Sequence, residues 1–192
     1  MRKTGAPPVR QRLLETADAL FYAEGIRAVG IDRVIADSGV AKSTMYVHFR
    51  TKEDLVEAYL RHRTDAWRAH VDAEARARAD DPADRALAVF DVFHEQLSAP
   101  GYRGCPFINA AAEYPHHPGI QQTIAYHRAW LHGLFPGILG TEADPRLAAA
   151  LVQLIDGAVT AAHLDRDRTA ARTAKATARL LLAAAPRRQG ES

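Results

Sequence analysis

Between Gly39 and Leu55 the chain reads GVAKSTMYVHFRTKEDL. Lys42, Ser43, Thr44, Tyr46 and His48 crowd into one short run behind a glycine. Ammonium, hydroxyl and imidazole groups donate to anionic oxygens, so this run is built for recognition of a charged surface rather than for filling a core. A second chemically loaded stretch is YRGCPFINAAAEYPHHP, from Tyr102 to Pro118. If Cys105 opens a helix there, the helix dipole and Arg103 next to it would lower its thiol pKa, making it a candidate sensor of oxidants or electrophiles. Asn109 and Glu113 lie four apart, with His116, His117 and His127 nearby in sequence. Carboxylate and imidazoles can ligate zinc, yet no spacing here is diagnostic, so no metal and no cofactor are expected. Cys105 paired with His94 or His127 would be the enzymatic alternative. No nucleophile elbow, phosphate-binding glycine loop or third orienting group accompanies it, and an enzyme is not expected.

The elements that must carry these groups are helical throughout. Residues 1–9, MRKTGAPPV, combine Arg2 and Lys3 with glycine and two prolines and read as a flexible basic arm. Leu13, Leu14, Ala17, Leu20 and Phe21 recur at helical spacing from Arg10 up to a cap at Gly25. A short helix over Ile31–Ser38 ends at Gly39, whose freedom at positive φ suits a tight turn into a third helix over Lys42–His48. Thr51 with Asp54 three residues on predicts a capping box opening a fourth, long helix to about Ala79. Asp81-Pro82 and Asp144-Pro145 each read as cap plus first helical residue. They open helices that end at Pro100-Gly101 and near Leu164. Between them lie a short helix from Cys105 to Tyr114 and a longer one from Gly119 to Phe135, closed by Pro136-Gly137. A last helix covers Thr169–Ala184 before a polar tail over 186–192. The expectation is an all-α chain of eight or nine helices.

Composition narrows the class. A hydrophobic share of 47% over 192 residues supports a buried core, and a single Cys excludes an internal disulfide framework. No secretory leader and no uninterrupted apolar run of about 18 residues is present, so a soluble cytoplasmic protein is expected. The net charge of +2 is small, but residues 1–63 hold 11 Lys and Arg against 8 Asp and Glu, leaving 14 against 15 for the rest. The basic excess therefore sits where the polar run sits.

Two short helices joined by a glycine turn and braced by a longer first helix form the sequence picture of a helix-turn-helix, whose second helix enters the DNA major groove. Lys42, Ser43 and Thr44 would stand at the N-terminal end of that helix, where the dipole favours phosphate. The run from Arg10 to about Arg63 resembles the DNA-binding domain of the tetracycline-repressor (TetR) family of bacterial regulators. LLETADALFYAEG and IDRVIADSGVAKSTMYVHFRTKEDL carry the resemblance, with Tyr46, His48-Phe49 and Lys52 at the positions where the family places Tyr, His-Phe and Lys. GCPFIN resembles the start of the sixth helix in one branch of that family. Val29-Gly30 departs from the hydroxyl residue often found before the second helix.

The resemblance implies an N-terminal three-helix DNA-binding domain over 10–55 and a larger ligand-binding and dimerisation domain over 56–185. It implies a regulator, a repressor released from a pseudo-palindromic operator by a small hydrophobic effector, with a Cys105 thiol sensor as the alternative. Its DNA-facing residues here would be Lys42, Ser43, Thr44, Tyr46, Val47, His48 and Arg33. Lys52 would reach a phosphate from the fourth helix, and Met45 and Phe49 would face the core. A pocket among the fourth to seventh helices would use Trp67, Phe90, Phe93, His94, Phe107, Asn109, Tyr126 and Trp130. A homodimer would form through the last two helices, along Leu147, Leu151, Leu154, Ile155, Ala158, Val159 and Ala162 and along Ala174, Ala178 and Leu181.

Overall fold

A computed structural model describes residues 7–140 and 142–185, so most of the basic arm (1–6) and the whole polar tail (186–192) lie outside the described residues. Among those described there are nine helices and no strand. They are α1 (Val9–Glu24), α2 (Ile31–Ser38), α3 (Lys42–His48), α4 (Lys52–Arg78), α5 (Pro82–Ser98), α6 (Pro106–Glu113), α7 (Pro118–Leu139), α8 (Pro145–Leu164) and α9 (Ala170–Ala184). The caps act as their chemistry predicts. Thr51 Oγ1 accepts from Asp54 N at 3.0 Å and Asp54 Oδ2 accepts from Thr51 N at 3.1 Å, a reciprocal box at the head of α4. Asp81 accepts from the N–H groups of Ala83 and Asp84 at 2.8 and 3.0 Å, and Asp144 from Arg146 N at 2.8 Å.

The seventh helix departs from expectation. It does not stop at Pro136-Gly137 but runs through Pro136 to Leu139. A proline removes one intrahelical bond, that to the carbonyl four residues back on His132, and His132 lies on an exposed face where water can satisfy it. Pro136 O still accepts from Gly140 N at 3.0 Å, and Gly140, at φ 89°, ends the helix in its place.

The chain divides into two compact units that do not coincide with a split at residue 55. One holds α1 to α3 and α4 up to Ala66, together with Cys105–His127; the other holds Trp67–Gly104 and the chain from Arg128 on. The first unit is built on Leu13, Leu14, Phe21, Val34, Met45, Phe49, Leu55, Tyr59 and Leu60, and α6 contributes Phe107 and Ala110 to the same core. Arg63 on α4 grips Asp18 on α1 through two hydrogen bonds, Nη2 to Oδ2 at 3.1 Å, and lies over the Tyr22 ring at 4.2 Å. In the second unit α8 and α9 pack directly on each other, and α5 packs chiefly against α9 and also against α8. Phe90 is stacked on Phe135 with ring centroids 5.8 Å apart, surrounded by Val89, Phe93, Leu151, Val152 and Ile155.

That packing turns much of the expected dimer stripe inward. Leu151, Ile155, Ala158, Ala162, Ala174 and Ala178 are buried within their own chain, with Leu147, Leu154 and Val159 packed partly against them. A helix has one broad apolar face, and on α8 that face is covered by α9 and α5 of the same chain. The large apolar side chains left outside on α8 and α9 are Leu164 and Leu180, 71% and 72% exposed, and, from the expected stripe itself, Leu181 at 36%. The length and apolarity of α8 would suffice to cross a membrane, but the buried face just described accounts for its composition.

The Phe90 stack sets the stability of the second unit. Phe90→Ala is expected to cost about 3–5 kcal/mol in urea unfolding followed by circular dichroism, through lost burial plus the cavity left behind.

Candidate nucleic-acid interface

A seven-residue helix such as α3 is too short to be stable by itself. It is held from one side: Met45 is fully buried, and Phe49, the residue after its last turn, is buried beneath the Arg10 guanidinium, 5.3 Å from the ring centroid. The turn before it begins at Gly39, φ 64° and ψ 23°, a left-handed conformation that caps α2 and that residues with a Cβ adopt at a cost. With one side committed, the other stands in solvent. Lys42, Ser43 and His48 are exposed, Tyr46 is 42% and Val47 80% exposed, and Thr44 is half-buried.

Acidic side chains hold two of the expected DNA-facing cations. Lys42 Nζ lies 2.9 Å from Asp32 Oδ1, and the Asp32 hydrogen bond and charge raise the lysine pKa. Arg33 donates to Asp37 at 2.7 Å and lies 3.7 Å from Glu24, with its pKa raised chiefly by Asp37. Both pairs are solvent-exposed and therefore weak and salt-screened, so a phosphate can take the place of either carboxylate.

Lys52, at the start of α4, is half-buried. Its ammonium approaches Arg27 O at 3.5 Å and stands 6.0 Å from the Phe21 ring centroid, and burial lowers its pKa. It braces the loop between α1 and α2. The same loop is clamped from the end of α6, where Glu113 accepts from Ile26 N at 3.1 Å and from Arg27 N at 2.5 Å. The Arg27 guanidinium lies over the Tyr114 ring at 5.3 Å. Glu113 thus serves backbone N–H groups rather than joining Asn109 and the histidines in a metal site, and no cluster fit to hold a metal occurs among the described residues. The clamping role of Glu113, and Arg27 and Arg10 altogether, were invisible in sequence, because their partners are 87, 87 and 39 positions away or a backbone group with no sequence mark.

The profile of bacterial regulatory proteins of the tetR family matches residues 13–59, from α1 into α4. Transcriptional regulators of the helix-turn-helix type from Staphylococcus aureus are 34% identical over 70 residues, which is 36% of this chain and 37% of theirs. The chain thus spans little more than a third of the length of these curated relatives. A TetR-family transcriptional regulator from Streptomyces coelicolor matches along nearly the whole length, with 36% identity, a TM-score of 0.80, and coverage of 91% of this chain and 94% of that one. The chain belongs to the TetR family. Reduced NemR from Escherichia coli shares the fold at 20% identity and a TM-score of 0.78, over 91% of this chain and 97% of that one.

In this TetR-family chain the eight residues expected to line a ligand site are divided between the two units. Phe107, Asn109 and Tyr126 belong to the first unit, and Trp67, Phe90, Phe93, His94 and Trp130 to the second. Phe107 stacks on the buried His127 at 3.5 Å, whose Nδ1 is 3.4 Å from Thr64 Oγ1. Tyr126 donates to Asp65 at 2.9 Å. Phe90 and Phe93 are core, with Trp67 edge-on to Phe93 at 5.2 Å, and His94 Nδ1 meets Ser98 Oγ at 3.1 Å. Aromatic residues at helical spacing built the cores because large apolar side chains are the most favourable to bury. Trp130 is the exception, bordering a cleft in the second unit. Cys105 is half-buried at the N-cap of α6, where its side chain makes no capping bond.

The Glu113 clamp is testable by itself. Glu113→Ala leaves two backbone donors without their carboxylate, one of them on the buried Ile26, and is expected to lower stability by about 1–3 kcal/mol in urea unfolding. Glu113→Gln, which keeps an acceptor, should lose less.

Proposed function

We propose that this protein is a cytoplasmic DNA-binding transcriptional repressor that leaves a pseudo-palindromic operator when a small molecule binds. The observation that carries the reading is the two-sided α3. Met45 and Phe49 are buried while Lys42, Ser43, Tyr46, Val47 and His48 are exposed to solvent. Exposed donors of this kind match phosphate oxygens and base edges, and Val47 offers an apolar contact of the size of a thymine methyl. On DNA, phosphates would take over Lys42 from Asp32 and Arg33 from Asp37.

Two recognition helices spaced by about one turn of DNA require a symmetric dimer. The outer face of α8 and α9 supplies the surface for it: Leu164 and Leu180 stand exposed beside Gln153, Gly157 and Thr160 on α8 and Ala176 and Thr177 on α9. Small side chains there let helices of two copies approach closely. An effector would act by favouring one arrangement of the two recognition helices over the other, to the extent of its differential affinity.

Selection of operator sequences from random duplex DNA with the full chain should enrich an inverted repeat; enrichment of no sequence would overturn the reading. On the selected site, Lys42→Ala should weaken binding and flatten the salt dependence by about one unit, and Asp32→Asn should tighten binding at low salt by removing a charge that competes with phosphate. Tyr46→Phe should cost roughly two- to tenfold in affinity, the worth of one hydrogen bond. In sedimentation, Leu164→Glu with Leu180→Glu should shift the protein from dimer to monomer, and operator affinity should fall with it.

A further inference from the structure

A cleft of about 270 Å³ opens in the second unit, lined by α4, α5 and α7. Arg68, Asp72, Ala75 and Arg76 form one stripe of α4, and Trp130, Gly133, Leu134, Gly137 and Ile138 one stripe of α7, with Arg85 of α5 between them. Ala75 and Leu134 are buried and Trp130 and Ile138 half-buried, giving an apolar floor. The two glycines have no structural reason to be glycine. Neither has a positive φ, and a Cβ built on either meets nothing within 4 Å. Each costs a helix about 1 kcal/mol relative to alanine. What their missing side chains provide is the open wall of the cleft.

The charge of the lining is as distinctive as its shape. Three guanidinium groups face one carboxylate, Asp72. Arg85 is fixed by two backbone carbonyls, Nε to Ala79 O at 3.2 Å and Nη2 to Asp80 O at 2.9 Å, which hold its plane and leave Nη1 for a further acceptor. Neither Arg68 nor Arg76 has a hydrogen-bond or ion-pair partner among the described residues. Uncommitted guanidinium groups above an apolar floor with an indole at its edge complement an anion carried on a flat apolar body. The planar fork of arginine matches a carboxylate in two parallel hydrogen bonds. The volume lies just below the roughly 300–1,000 Å³ of drug-sized ligand sites, which limits the body to about a single ring.

We infer that this cleft binds a small aromatic carboxylate. Resting on the ligand-responsive reading above, such an acid is the effector, and the effector is then anionic rather than simply hydrophobic.

Calorimetric titration of the full chain with benzoate and phenylacetate tests the site without DNA. Saturable binding of one acid per chain is expected, with benzyl alcohol and inorganic phosphate giving none. Arg76→Gln and Arg85→Gln should each weaken binding about tenfold or more, and Gly133→Leu should abolish it by filling the wall. Gly133→Ala should weaken binding while raising the thermal midpoint, a combination that misfolding cannot produce. Absence of binding by either acid, or unaltered binding in Gly133→Leu, would overturn the site. Phenyl phosphate binding more tightly than the acids would overturn the carboxylate assignment. The same acids are then added to the operator complex: release in wild type but not in Arg85→Gln supports the effector role, and binding without release overturns that role while leaving the site. Failure of operator selection, by contrast, would strike the regulator reading and the effector role that rests on it, while leaving the binding site standing.

Discussion

A helix of seven residues has too few internal hydrogen bonds to hold itself together, and α3 exists because Met45 and Phe49 are buried in the core of the first unit. That constraint decides the rest of the interface. Anchoring one side of so short a helix leaves its remaining positions no neighbour to pack on, so Tyr46, Val47 and His48 must either be tolerated in water or be used. Gly39 in the left-handed region sets the turn that aims them.

The anchoring is reinforced from outside the three-helix module. Glu113 at the end of α6 and Lys52 at the start of α4 both close on the loop that delivers the chain from α1 to α2. A loop whose backbone N–H groups depend on a carboxylate of another helix responds to any displacement of that helix. The charged surface itself is poised rather than bare. Asp32 and Asp37 occupy Lys42 and Arg33 in weak exposed pairs that an anionic polymer can displace, so the interface avoids strong attraction to every anion.

Much of the architecture was legible in the residues, where local chemistry leaves a local mark. Asp81-Pro82, Asp144-Pro145 and the Thr51–Asp54 box announced three helix starts, and Gly25 and Gly39 two ends, because capping satisfies backbone groups within a few residues of the cap. Pro136 misled, since one lost hydrogen bond near an exposed helix end is cheap enough to pass through. The aromatic residues were legible only in part. Hydrophobicity identifies what is buried without saying whether it is buried in a core or around a ligand, and Phe90, Phe93 and Phe107 proved to be core.

The sequence by itself determined an all-helical chain, the place of the turn, and which side of α3 is polar, because these depend on periodicity and on interactions spanning three or four residues. Tertiary structure decided what pairs across distance: that α6 joins the core of α1 to α4 through Phe107 and Ala110, that Glu113 serves a backbone loop, and that the Leu151–Ala162 stripe lies inward. It also decided that Arg68, Arg76 and Arg85 share a cleft with two glycines. Contacts between residues tens of positions apart carry no periodic signature, and which of two apolar helix faces is covered first depends on how every other helix packs.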